Sequence, residues 1–492
     1  MVDETLYDLL GLPRDATSEE IRRAYREKAR RLHPDHNEKP GETQLFIDIQ
    51  QAYETLSNPE EKQRYDKNLP TQPQTPQPLL TRVQYSRASL TQMADPQLVY
   101  VLLELLPRPD ADLPTPPLNI CLVLDCSTSM QGARLDAVKA TAIELVRQMR
   151  PQDIISVVRF SDRAESLVPA GMNINRASIE TRIQVMQASG GTEIYQGLEA
   201  GMTEVRRYCS NNHINHVILI TDGRTYGDEE ACLRLADLAT TQGIGISSLG
   251  IGSQWNDRFL DQLTARTGGN SKYIAKAEDI RQFLHEKVIR LGHSYAEHLT
   301  YQFETGPGVE VTYAFRLNPE TSLLEIANPL IFGSVPRDAS HNLLLEFTIR
   351  DIPPEDRQTI LAKGVITFHI PGQKVQINHR QRLEFSRPVS PEPDTEPPSA
   401  TLVQAMARLT LYRMQERARQ DIEKGQIKEA TRRLQNLATH LLAQGQRDLA
   451  RSVLNEVSHI QQHQAFSEEG DKKIKYGTRS LMLPPGTKEK KS

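Results

Sequence analysis

The segment "LVLDCSTSM", Leu122–Met130, ends an apolar run with one carboxylate, Asp125, and three closely spaced hydroxyls, Ser127, Thr128 and Ser129. Three chemistries use such residues: a nucleophilic serine, a phospho-accepting aspartate, or a hard metal ion. A second carboxylate, Asp222 in "LITDG", closes another apolar run. A separate tripeptide, His33-Pro34-Asp35, follows a strongly basic stretch near the start of the chain.

These residues need elements to carry them. Residues 118–292 alternate strand and helix, which gives a mostly parallel sheet covered on both faces. In open sheets of this kind, ligands bind just beyond the carboxyl ends of the strands, where Asp125 and Asp222 fall. Neither Ser127 nor Ser129 sits in a G-x-S-x-G elbow. An aspartyl phosphatase of the haloacid-dehalogenase type would need an acid at 127, and an aspartic protease a glycine; serine stands there. Hard oxygen ligands for Mg²⁺ or Mn²⁺ remain. No residue is placed as a base to activate water, so an enzyme is not expected.

The DxSxS pattern of Asp125, Ser127 and Ser129 resembles the metal-ion-dependent adhesion site of von Willebrand factor A domains. Two further parts of that pattern follow in order: "GGTEI", with Thr192, and "ITDG", with Asp222. The resemblance implies a Mg²⁺ (or Mn²⁺) ion held by Asp125, Ser127, Ser129, Thr192 and Asp222. An open coordination position would then take an acidic side chain from a protein partner. Thr128 stands where the family often has glycine, which touches backbone shape and not ligation.

The N-terminal region reads as helices. Thr17 and Glu20 form a T-x-x-E capping box for a helix over 18–31. Ile21, Tyr25, Ala29 and Leu32 mark its buried stripe, with Arg22, Arg26 and Arg30 in a row opposite. Pro34 ends it. A second helix carries Leu45, Ile49, Ala52, Tyr53 and Leu56, and a third starts at Asn58 with Pro59 in its first turn. Residues 3–67 resemble the J domain of DnaJ-type co-chaperones. That implies contact with a DnaK-type ATPase through His33, Pro34, Asp35, Arg22 and Arg26, and stimulation of its ATP hydrolysis. His36 replaces the lysine that often follows the tripeptide.

The 492 residues call for roughly three domains. The net charge of −4 gives no drive toward nucleic acid or membrane. The acidic start is not a secretory signal, and no apolar run approaches the roughly 20 residues of a membrane span. Four cysteines without a CxxC pair suit a reducing, cytoplasmic setting.

The expected architecture is multidomain. An all-α J domain (1–68) leads through a Pro-rich linker (69–79) to strands (80–113) that join a β-sandwich. The α/β doubly wound A domain (114–293), the rest of the sandwich (294–387) and a second Pro-rich linker (388–399) follow. A helical bundle (400–465) and a disordered tail (466–492) complete the chain. Strands on both sides of an A domain resemble the arrangement in bacterial homologues of calcium-activated chloride channels. The function expected is a co-chaperone whose A domain selects a client. The alternative is a non-chaperone scaffold for an AAA-type ATPase or another complex.

Overall fold

The computed structural model describes residues 6–10, 12, 16–32, 40–68, 77–93, 95–108, 115–172, 176–225, 227–350, 352–353, 356–373, 377–392 and 394–481. Two compact units divide the chain, residues 1–77 and 78–492.

Among its described residues the first unit holds four helices: α1 (Leu6–Leu10), α2 (Ser18–Leu32), α3 (Pro40–Ser57) and α4 (Pro59–Asn68). The capping box forms as expected: the Glu20 amide donates to Thr17 Oγ1 at 3.3 Å, and the Thr17 amide donates to Glu20 Oε2 at 2.8 Å. Ile21 is buried with Tyr7, Leu10, Ala16, Ile49, Ala52 and Leu56. Tyr25 stacks on Tyr53 of α3 at 4.1 Å. Asn58 caps α4 by accepting the Glu60 amide at 3.0 Å. Arg22, Arg23 and Arg26 are exposed on α2, whereas Lys28 turns in and donates to the Leu9 carbonyl at 2.8 Å. His33, Pro34 and Asp35 lie outside the described residues, as do 69–76 of the first Pro-rich segment.

The second unit opens with β1 (Leu79–Tyr85), β2 (Leu90–Thr91) and β3 (Gln97–Pro107). The α/β domain then runs through β4 (Leu118–Asp125), α5 (Ala133–Gln148), β5 (Ile154–Phe160), β6 (Ala164–Gly171), α6 (Arg176–Gln184), α7 (Ile194–Arg206) and β7 (Ile214–Thr221). It ends with α8 (Glu229–Thr241), β8 (Gly245–Ile251), α9 (Asp257–Ala265), β9 (Ser271–Ile274) and α10 (Asp279–Gly292). The sheet order is β6-β5-β4-β7-β8-β9, parallel except for the β6 edge. Strand β4 is buried throughout: Ile120, Leu122 and Leu124 join one core, Cys121 and Val123 the other. Such two-sided burial is why a central parallel strand reads as a continuous apolar run. Gly197 and Gly201 let α7 close onto the sheet, since a Cβ there would collide with Phe160 or Val123. All four cysteines are free thiols, and Cys121, Cys126 and Cys232 are buried.

The chain continues with β10 (Ser294–Glu304), β11 (Val309–Asn318), β12 (Ser322–Leu323), β13 (Leu330–Pro336), β14 (His341–Ile349), β15 (Gln358–His369) and β16 (Asn378–Ser390). Two five-stranded sheets result, β1-β3-β14-β11-β12 and β13-β10-β15-β16-β2, and their facing residues share one apolar core. Strand β3 pairs antiparallel with β14 from the far side of the α/β domain. The segment before that domain does join the sandwich.

The second Pro-rich segment, expected to be a stiff, extended linker at 388–399, is tied to the sandwich. Strand β16 continues to Ser390, where Val389 pairs with Leu90. Asp394 then accepts the Ala88 amide at 2.6 Å, and Ser399 caps the next helix. That helix is α11 (Ala400–Glu423), followed by α12 (Ile427–Ala443), α13 (Arg447–His463) and α14 (Glu468–Ser480). The first half of α11 lies on the outer face of a sandwich sheet, with Leu402, Leu409 and Tyr412 against Phe315 and Leu344. Of Leu434, Leu437, Leu441 and Leu442, whose spacing predicts a buried face, the first three join the bundle core, whereas Leu442 is exposed.

The tail expected to be disordered from 466 is instead helix α14 through Ser480. It docks through Ile474 in the bundle core, Tyr476 against Trp255 and Tyr273, and a cluster of ions. Lys475 meets Asp257 and Asp261, Arg479 meets Asp261 at 2.7 Å, and Arg419 of α11 bridges Asp257 and Asp471.

A polar cavity of about 40 Å³ lies between the α/β domain and the sandwich, lined by His216, Lys287, Glu297, His298, Arg316 and Glu320 among others. Glu297 Oε1 is buried there without a protein hydrogen-bond partner. Burial pushes the Glu297 carboxyl up to about 7, although a bond from Ser294 and the Lys287 charge oppose this. The folded state therefore binds more protons than the unfolded state between about pH 4.5 and 7, and stability falls as pH rises through that window. Glu297→Gln should match wild type in urea unfolding below about pH 4 and exceed it, by up to roughly 3 kcal/mol, above about pH 7. Parallel pH dependences for the two proteins would refute this.

Candidate functional site

Beyond Asp125 the chain leaves the sheet in a 3-10 turn, Thr128–Met130, before α5 begins. The turn brings the expected donors together. Asp125 and Asp222 are fully buried, and Ser127 nearly so. Asp125 Oδ1 accepts the Ser127 amide at 2.7 Å, and Oδ2 accepts the Thr221 hydroxyl at 2.6 Å. The Ser127 and Ser129 hydroxyls lie 3.0 Å apart, and Ser129 donates to Asp222 Oδ1 at 2.6 Å. Motifs almost a hundred residues apart thus share one hydrogen-bonded string of oxygens. Thr192 lies against the turn after Asp222: a Cβ on Gly223 would stand 2.7 Å from Thr192 Oγ1.

Burial pushes the Asp125 carboxyl up to about 6; bonds from Ser127 and Thr221 pull it down, and nearby Asp222 adds repulsion. A cation between the carboxylates would relieve both penalties. Among the described residues, no three His, Cys, Asp or Glu side chains group as a metal site. The donor set here is two carboxylates with hydroxyls, all oxygen, which fits a hard divalent ion and not zinc.

Thr128, the departure from glycine, has its own use. Its amide and hydroxyl donate to the Gly190 carbonyl at 3.1 and 3.0 Å, and Ser189 donates to the Cys126 carbonyl. The Thr192 loop is thereby tied to the Asp125 loop. Asp162 accepts the Gly191 amide at 2.7 Å from the other side. The first amides of α7 are met by Thr225 and Asp228.

Sequence reasoning missed Thr221, Asp162 and Arg134. Arg134, in the first turn of α5, donates to Asp222 Oδ2. The only signal for it was a basic residue five positions after Ser129. Arg224, two residues past Asp222, donates to the Gln254 carbonyl at 2.9 Å and pairs with Glu468 of α14 at 3.1 Å. Lys472 of α14 donates to the neighbouring Ser253 carbonyl. The last helix therefore abuts two loops that follow β7 and β8.

A doubly wound sheet with these oxygens at its strand ends defines an A-domain protein, and residues 119–287 match the model of the von Willebrand factor type A domain. Residues 5–66 match the DnaJ domain, and residues 400–484 match the Sll0103-like C-terminal alpha-helical domain. The chain is a J domain joined to a von Willebrand factor A domain, with a strand-rich region and a helical C-terminal domain. Both named modules are interaction modules without catalytic machinery of their own.

The chain is 26% identical over 380 residues to the uncharacterized protein sll0103 of Synechocystis sp., covering 75% of this chain and 89% of that one. Its J domain is 52% identical over 61 residues to the chaperone protein DnaJ of Trichormus variabilis, which is 12% of this chain and 16% of that protein. The chain thus spans only a small part of the DnaJ proteins it matches. Among solved structures, the von Willebrand factor type A protein from Catenulispora acidiphila superposes with a TM-score of 0.63 at 14% identity, over 84% of this chain and 99% of that one. The ArnB paralog VWA2 from Sulfolobus acidocaldarius gives 0.52 at 18% identity, over 83% and 100%. Both likenesses speak to fold. No helix among the described residues is long and apolar enough to cross a membrane.

Proposed function

We propose that this protein is a cytoplasmic J-domain co-chaperone that brings a DnaK-type ATPase to a protein partner held by its A domain. The carrying observation is that one chain joins a DnaJ domain to an all-oxygen donor set at the strand ends. Asp125, Ser127, Ser129, Thr192 and Asp222 would hold Mg²⁺ or Mn²⁺. A bound ion supplies an unfilled coordination position that takes an acidic side chain of the partner. The chain's own oxygens fix where that position lies, and the Thr128–Gly190 link holds the loops around it. Arg22 and Arg26, exposed on α2, and the His33-Pro34-Asp35 tripeptide would face the ATPase.

Two measurements test this reading. Mg²⁺ or Mn²⁺ should raise the melting temperature of the full-length protein, since a ligand of the folded state adds about 2.7 kcal/mol at a hundredfold excess over Kd. The shift should disappear in Asp125→Ala. In a pull-down with Mg²⁺ against chelator, Ser129→Ala should lose the captured partner while keeping full ATPase stimulation. A melting curve that ignores both ions would leave the A domain without its proposed grip.

A further inference from the structure

We propose that Arg134 is the resident counter-ion of the strand-end site, competing with a divalent cation for the Asp222 carboxylate and thereby setting the ion's affinity. The inference rests on reading the donors as a metal centre.

Two buried carboxylates, Asp125 and Asp222, sit one string of hydroxyls apart. Such a pair is costly without positive charge. Among the described residues, Arg134 alone forms an ion pair with either, and it does so through Asp222 Oδ2. Asp222 Oδ1 is used by Ser129 at 2.6 Å, so Arg134 takes the oxygen that the hydroxyl string leaves open.

The guanidinium has a built seat. The same Nη1 lies 3.4 Å from the Ser129 carbonyl, and Nη2 lies over Gly252, whose φ is +70°. A Cβ on Gly252 would come within 3.0 Å of Nη2. The loops after β4, β7 and β8 therefore meet around one cation. The Arg134 side chain is nonetheless 39% exposed, while that of Asp222 is fully buried. A long side chain with one end in water can leave its seat without unfolding anything.

An ion and a guanidinium on one carboxylate repel each other. Arg134 stabilises the site while no ion is bound and must yield charge contact when one arrives. The site is thereby kept assembled without metal, at the cost of a weaker grip on it.

The test is Mn²⁺ binding to the full-length protein, read by the paramagnetic resonance signal of free Mn²⁺, for wild type, Arg134→Gln and Arg134→Lys. Melting in chelator is measured alongside. Arg134→Gln should bind at least about tenfold tighter, which is 1.4 kcal/mol. It should melt below wild type in chelator and recover with Mn²⁺. Arg134→Lys, which keeps the charge, should stay close to wild type in affinity. Equal or weaker binding by Arg134→Gln overturns the proposal and leaves the metal reading standing. A Gln variant that folds only with Mn²⁺ supports it; one that folds under neither condition makes Arg134 structural and overturns it. Absence of Mn²⁺ binding in all three proteins removes the metal reading, and this inference with it.

Discussion

His33→Gln is expected to reduce stimulation of a DnaK-type ATPase to the unstimulated rate. Among the described residues, the apolar core of the N-terminal unit is built from Tyr7, Leu10, Ala16, Ile21, Ile49, Ala52 and Leu56, and the substitution replaces none of them. Far-UV circular dichroism should therefore match wild type. Reversing charge at the exposed Arg22 and Arg26 should weaken stimulation in a different way. Such contacts are screened over about 10 Å at 0.1 M salt, so the defect should grow as salt is lowered toward conditions where the wild type gains most. Single-turnover ATP hydrolysis with a purified DnaK-type partner is the assay. Equal stimulation by wild type and His33→Gln would end the co-chaperone reading.

Lys475→Met should free α14 from the A domain. The Lys475 side chain is 4% exposed and reaches Asp257 and Asp261, with Arg419, Arg479 and Asp471 completing the cluster. Three acids balance three bases, so removing one base leaves a buried charge unmatched. Breaking such a pair costs about 3–5 kcal/mol. The expected result is an earlier urea transition and rapid amide hydrogen exchange across Glu468–Ser480. Unchanged exchange there would show that α14 docks by other means. The pH sense also follows. Burial alone would raise the Asp257 and Asp261 carboxyls, but the neighbouring Lys475, Arg419 and Arg479 hold them well below the usual range. Their contribution is present above about pH 4 and is lost only as pH falls toward those lowered values.

The A domain was legible because its rules are local. An apolar strand ending in Asp125 or Asp222 states both burial and the exit from the sheet. The capping box at Thr17 and Glu20 and the inward positions Ile21 and Tyr25 of α2 were legible for the same reason. Helix α14 was not. Its sequence, "EEGDKKIKYGTRS", holds few apolar residues among many charged ones, and a run of charge reads as solvated. Its partners, the ions of α9 and α11 and the rings of Trp255 and Tyr273, lie more than fifty residues away, which no window around it contains. The second Pro-rich segment misled similarly. Pro388 lies in β16 opposite Gln358, and what pins the residues beyond it is the 80–90 region at the other end of the unit. Arg134 reads as a surface residue until Asp222 is brought beside it.

The pairing of β3 with β14 also has a consequence for synthesis. Strand β3 leaves the ribosome with Val99, Val101, Leu103 and Leu105 ready for a core, and only the β1 hairpin is available to cover one edge. Its other partner does not yet exist, because His341 faces Leu105. The roughly 240 residues between them take about 10–50 s to make at about 5–20 residues per second. During that interval the A domain can form as an inserted unit, while a half-built sandwich waits with an apolar face and an open strand edge. Translation speed across residues 118–340 thus governs how long the nascent chain is exposed to mispairing.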